Sequence, residues 1–203
     1  MLFNKDKLET KITPYNKDKS SKKEQVVKMF DAIASRYDFL NHFLSFGIDI
    51  IWRKKAIKEI SKIKPKIILD IATGTGDLAI EASRLNPIQI IGVDISNNML
   101  DIGREKMKRK SLEKLIDMQY GDSEKLHFKD NTFDAITAGF GVRNFENLEK
   151  GLEEMFRVMK HGGKVAILEP TVPRLFPMKQ LYTLYFNVLL PTIGKFISKD
   201  KSA

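Results

Sequence analysis

Cysteine is absent from the 203-residue sequence. Disulfides, thiolate catalysis and cysteine-ligated metals are therefore excluded. Long apolar runs are absent as well. The longest stretch free of charge, Gln180 to Gly194, lies between Lys179 and Lys195 and contains Asn187 and Pro191. It is too short to span a bilayer. No apolar stretch follows the N-terminal lysines, so no signal peptide is expected, and the expected location is the cytoplasm. Basic residues are in excess, with a net charge of +9. No basic stripe is interleaved with stacking aromatics, so nucleic acid is not an expected partner. The charge leaves two readings: a lysine-rich solvated surface, or attraction to the inner face of an anionic membrane.

The length suits one domain, and an apolar share of 42% supplies one sizeable core. Residues 1–23 are polar and lack periodicity, and are expected to form a mobile basic arm. Apolar residues then recur at helical spacing at Val26, Val27, Phe30 and Ile33, and again from Ile50 to Ile63, where Pro65 ends the pattern. Residues 24–64 thus read as a helical cap. Residues 65–170 alternate strands with helices. The apolar run Ile67–Ile71 suits a strand buried on both faces. Further strands are predicted at Ile88–Asp94, Asp117–Tyr120, Phe133–Ala138 and Lys164–Glu169. Helices are predicted at Asp77–Leu85, from a cap at Ser96 to about Arg109, and at Leu148–Met159, where Gly162-Gly163 supplies the stop. This alternation predicts an α/β, doubly wound, mainly parallel sheet. Residues 171–203 read as an apolar helical segment, either buried on the sheet or forming a wall for a greasy ligand.

Ligands of open α/β sheets bind beyond the carboxyl ends of the strands. The first such end carries Asp70-Ile-Ala-Thr73-Gly74-Thr75-Gly76-Asp77, a loop whose glycines permit close backbone approach. The second carries Asp94, placed to grip two ribose hydroxyls. The third carries Asp122-Ser123, an acceptor and a donor for an adenine edge. The fourth carries Gly139-Phe-Gly-Val-Arg143-Asn144. A nicotinamide dinucleotide fits poorly, because the third glycine of its fingerprint is missing. Asp70 and Asp77 would also repel a pyrophosphate at the helix start. They suit a ligand with a cationic ammonium and sulfonium. Each aspartate taken singly also fits a turn or a helix cap.

These residues resemble a known family. Asp70 to Asp77 is similar to the first motif of class I methyltransferases. Met29-Phe-Asp-Ala-Ile-Ala-Ser-Arg-Tyr-Asp38 with Asn41, Trp52-Arg53, Gly121 to Phe128, Asp130 to Asp134 and Phe140 to Asn144 resemble the ubiquinone/menaquinone C-methyltransferases. Val142 and the Thr-Gly-Thr-Gly form look closer to the demethylmenaquinone branch. The resemblance implies a Rossmann-like class I methyltransferase fold with N-terminal helices. It also implies two further strands at the end of the sheet, which this sequence is expected to lack. It implies S-adenosyl-L-methionine as cofactor, held by Thr73, Asp94, Asp122 and Ser123, with Gly74, Gly76 and Asp70 shaping the loop.

The implied acceptor is demethylmenaquinol or a related prenylated quinol. Arg143 is expected to stabilise its phenolate by charge, or to pair with a surface carboxylate. Asn144 is expected to orient the ring, or to cap the helix near Glu146. Tyr37, Asp38 and Asn41 are candidates to close over the cofactor. His42 and His161 are read as mainly structural, and His127 is the remaining candidate base. A benzoquinol acceptor, another small-molecule acceptor and a non-catalytic cofactor-binding protein are the alternatives. A peripheral membrane contact and a second copy of the chain complete the expected partners.

Overall fold

The computed structural model describes residues 14–15, 18–45 and 47–171. The segment predicted after residue 171, and most of the N-terminal arm, lie outside the described residues. Helix α1 (Lys22–Ile33) starts earlier than the apolar spacing predicts. Ser21 accepts from the Glu24 amide at 3.2 Å, while the Glu24 carboxylate takes the Ser21 amide at 2.9 Å. That reciprocal capping box nucleates the helix inside the stretch read as arm. A 3₁₀ turn over Ala34–Arg36 leads into α2 (Tyr37–Leu44). Helix α3 (Ile48–Ser61) follows and ends before Pro65.

From there strands and helices alternate until β3, which passes to β4 without a helix: β1 (Ile67–Ile71), α4 (Asp77–Ser83), β2 (Gln89–Asp94), α5 (Asn97–Arg109), β3 (Ile116–Tyr120) and β4 (Phe133–Gly139). Helix α6 (Leu148–Val158) and β5 (Met159–Leu168) complete the set. The sheet order is β3-β2-β1-β4-β5, and every pairing is parallel. Alternate residues face opposite sides of a strand. Ile68 and Ile90 therefore join one core, with Ile57, Leu78, Leu100 and Met107 from the helices. Leu69, Ile71 and Val93 join the other, with Phe133, Ile136, Met155 and Val158. Strand β1 is buried on both faces, as its unbroken apolar run demands. The strand order reverses between β1 and β4, which opens a crevice at their carboxyl ends.

One predicted boundary is corrected. The Gly162-Gly163 pair does not stop a helix. Helix α6 ends at Val158, and Met159 is already extended. Phe133 pairs with Met159 and Ala135 with Lys164, so β5 advances five residues while β4 advances two. The surplus forms a bulge that needs its glycines. Gly162 has φ +78°, and a Cβ on Gly163 would fall 2.9 Å from the Asp134 carbonyl. His161 lies exposed in this bulge rather than at a helix end. Among the described residues no helix is long and apolar enough to cross a membrane.

Candidate functional site

A cleft of about 640 Å³, measured out to its open mouth, lies beyond the carboxyl ends of β1, β2, β3 and β4. Ala72, Gly74, Asp94, Asp122, Ser123, Gly139, Phe140, Gly141 and Asn144 line it from the strand ends. Lys23, Val26 and Phe30 of α1 and Tyr37 of α2 close its other side.

The loop after β1 turns through left-handed backbone at Ala72 (φ +52°), Gly74 (φ +55°) and Gly76 (φ +84°). At Gly74 an added Cβ would meet only the Tyr37 ring, 3.9 Å away, so the backbone there lies open to the cleft. Asp94 ends β2. Its Oδ2 accepts from the Gly74 amide at 2.8 Å and its Oδ1 from the Ser96 amide at 2.9 Å. Burial outweighs these hydrogen bonds and pushes its pKa up. A half-buried carboxylate, aimed by two amides into a cleft, suits a ligand that brings hydroxyl donors. Asp122 stands at the next strand end. Its Oδ1 accepts from the Glu124 amide at 2.9 Å, and its Oδ2 lies 2.6 Å from Lys23 Nζ. Ser123 lines the cleft beside it.

Four residues expected at the ligand point elsewhere. Asp70 is fully buried under the loop, where its carboxylate accepts from the Thr73 and Thr137 hydroxyls, each at 2.6 Å. The Thr73 hydroxyl is thereby committed to Asp70. Gly76 faces the core, where a Cβ would fall 2.5 Å from Met107 Cε. The charge of Asp77 is likewise spent inside the protein. It pairs with Lys106 at 2.8 Å and Arg53 at 3.1 Å. Electrostatic rejection of a pyrophosphate by Asp70 and Asp77 is thus not what selects the ligand.

Burial pushes the Asp70 pKa up to about 6, against the pull of its two hydroxyl donors. Between its ordinary value of 3.8 and about 6 the folded state binds the proton and the unfolded state does not. The carboxyl therefore costs stability as pH rises through that window, and the cost is complete above it. Asp70→Asn removes this term. In urea unfolding, the stability of the native protein relative to the variant should be about 2 kcal/mol lower at pH 7 than at pH 4. A difference independent of pH would show that Asp70 titrates normally.

Arg143 and Asn144 part company. Asn144 lines the cleft. It does not cap α6, because Asn147 takes the Lys150 amide at 3.0 Å. Arg143 is half exposed beside the cleft, with Nη1 2.5 Å from Glu169 Oε2. Tyr37 reaches the cleft with its phenol pKa raised by burial, so the hydroxyl keeps its proton as a donor. Asp38 instead accepts from the Thr75 hydroxyl at 2.5 Å and pairs with Lys106. His42 lies 2.8 Å from Asp49, and His127 is exposed against Gln119. Neither lines the cleft.

Two lysines escape the sequence reading. Lys22 Nζ donates to the carbonyls of Arg143 at 3.0 Å and Phe145 at 2.7 Å. Lys23 holds Asp122 on the opposite wall. Adjacent residues of α1 thus tie the loops after β3 and β4. The Ser21-x-x-Glu24 capping signature could have placed both on a helix.

Known proteins align with this chain over most of its length. The profile of the ubiE/COQ5 methyltransferase family matches residues 18–203. The demethylmenaquinone methyltransferase of Bacteroides fragilis is 54% identical over 194 residues, which cover 95% of this chain and 79% of that protein. The ubiquinone/menaquinone biosynthesis C-methyltransferase UbiE of Geotalea daltonii is 46% identical over 182 residues, 89% of this chain and 77% of that protein. Among solved structures, a putative S-adenosyl-L-methionine-dependent methyltransferase from Methanococcus maripaludis superposes with a TM-score of 0.61. It is 22% identical over 93% of this chain and 80% of that one, a likeness of fold.

Proposed function

The chain belongs to the ubiE/COQ5 methyltransferase family, and from that membership we propose that it methylates a ring carbon of 2-demethylmenaquinol to give menaquinol. The cofactor is S-adenosyl-L-methionine. The observation that carries the reading is the pairing of this cleft with relatives named for that reaction, at 54% and 47% identity. The residues present suit the cofactor. Asp94 is pre-aimed for the two ribose hydroxyls, and Gly74 leaves room for a ligand against the backbone. Asp122 and Ser123 offer an acceptor and a donor at the third strand end.

When bound, S-adenosyl-L-methionine supplies an electrophilic methyl group on sulfonium. The protein's part is to align a weak carbon nucleophile with it. Loss of the phenolic proton to water at the open mouth pushes electron density onto the neighbouring ring carbon; that carbon bonds the methyl as the sulfur–methyl bond breaks, and its hydrogen then leaves as a proton to restore the ring. Arg143 stabilises that phenolate by charge, and Asn144 orients the ring. Tyr37 serves as a donor from the opposite side of the cleft. Val26, Phe30, Phe140 and Phe145 exclude water from it.

Peripheral contact with an anionic membrane belongs to the same proposal. It draws on the net charge of +9 and on exposed Phe39, Phe43, Ile51 and Trp52. Trp52 meets Phe140 of the cleft, with ring centroids 6.4 Å apart. One assay tests both parts: methyl transfer to demethylmenaquinol and to its benzoquinol counterpart, each presented in anionic and in neutral vesicles. Faster transfer to the naphthoquinol, and faster still in anionic vesicles, is expected. Equal use of the two quinols would overturn the acceptor. Equal rates in the two lipids would overturn the membrane contact.

A further inference from the structure

We propose that Glu169 is a positioning residue for the methyl transfer, holding Arg143 where the acceptor's phenolate forms. The inference rests on the role given to Arg143 above. Glu169 is the first residue past the carboxyl end of β5, and the loop after β4 is laid across it. The Phe140 amide donates to the Leu168 carbonyl at 2.7 Å. The Arg143 amide donates to Glu169 Oε1 at 3.2 Å, and Arg143 Nη1 donates to Oε2 at 2.5 Å. One carboxylate therefore grips both the backbone and the guanidinium of a single residue. From the other side, Lys22 holds the Arg143 carbonyl.

Ion pairs between two exposed side chains ordinarily contribute little to stability. This pair is asymmetric: the Glu169 side chain is 22% exposed and that of Arg143 is 51%. The carboxylate is the fixed member and the guanidinium the one that needs holding. An arginine side chain left free carries about 2 kcal/mol of rotamer entropy, which would have to be lost as the transition state forms. Pairing confines it beforehand. Glu169 takes one of the five guanidinium donors, and no other partner of that group stands among the described residues. The loop itself has the Phe140 bond and the Lys22 bonds to hold it. The carboxylate's distinct contribution is thus the direction of the guanidinium.

The test compares Glu169→Gln, Glu169→Asp, Arg143→Ala and the Glu169→Gln/Arg143→Ala double variant in the full chain. Gln can still accept the Arg143 amide but has no charge to hold the guanidinium. In Glu169→Gln, kcat should fall about tenfold. Acceptor KM, S-adenosylhomocysteine affinity and melting temperature should stay at the native values. Glu169→Asp, which keeps the charge, should retain most of the turnover. The double variant should be no slower than Arg143→Ala alone, because the carboxylate acts only through the arginine. Native kcat in Glu169→Gln beside a slow Arg143→Ala would overturn the role of Glu169 and leave that of Arg143 standing. Losses that multiply in the double variant would do the same. Native turnover in Arg143→Ala would remove the premise itself.

Discussion

Asp94→Ala should weaken S-adenosylhomocysteine binding about a hundredfold, or about 3 kcal/mol. The carboxylate is the group in the cleft best prepared for a ribose. It sits at the end of the second strand, and its two oxygens are aimed by the amides of Gly74 and Ser96. Burial makes its charge costly, as its raised pKa shows. Two hydroxyl donors relieve that cost, so more is lost than one neutral hydrogen bond. Alanine also strands the Gly74 amide, which loosens the loop after β1. Asp94→Asn keeps one acceptor oxygen and should lose about tenfold. Calorimetry reads both numbers. Affinity within threefold of native for Asp94→Ala would place the ribose elsewhere.

Arg143→Ala should lower kcat by about 10²- to 10³-fold, the effect of removing one donor to a developing oxyanion. Cofactor affinity should be unchanged, because Arg143 stands with Glu169 at the β4–β5 end of the sheet, whereas Asp94 and Asp122 stand at the β2–β3 end. Arg143→Lys keeps the charge but loses the planar fork that reaches Glu169 and the acceptor together. It should fall between native and alanine. Single-turnover methyl transfer with saturating cofactor separates the chemical step from binding. If the alanine variant turns over at the native rate, the phenolate is stabilised by another group.

Much of this architecture was legible. Strands β1 and β2 announce themselves as apolar runs with an aspartate at or next to the last position, and Ser96 caps α5 where its hydroxyl accepts from the Met99 amide. Periodicity carries such local facts because burial repeats with the element. The errors lie where a partner is distant in sequence. Asp70 looks like a ligand-facing acid until Thr137, on β4, arrives beside it. Asp77 looks unpaired until Arg53 and Lys106 fold onto it from either side. The Arg143–Glu169 pair spans 26 residues and two strand ends, which no spacing rule connects. The Gly162-Gly163 bulge misleads for another reason. Glycine ends helices and bends strands by the same backbone freedom, and only the pairing of β5 with β4 decides between them.

The left-handed turn at Ala72 gains a different meaning beside Gly141. A Cβ added to Gly141 would lie 2.3 Å from the Ala72 methyl, so the two strand-end loops touch through main chain and one methyl. Donor and acceptor of the methyl group would be held by different loops, the first by β1 and β2, the second by β4. Their separation must be kept within a few tenths of an ångström for reaction. A long side chain at that contact would make the gap as soft as its rotamers. Bare backbone against a methyl has no rotamers to change, so the spacing of the two loops is set by the thickness of a single carbon.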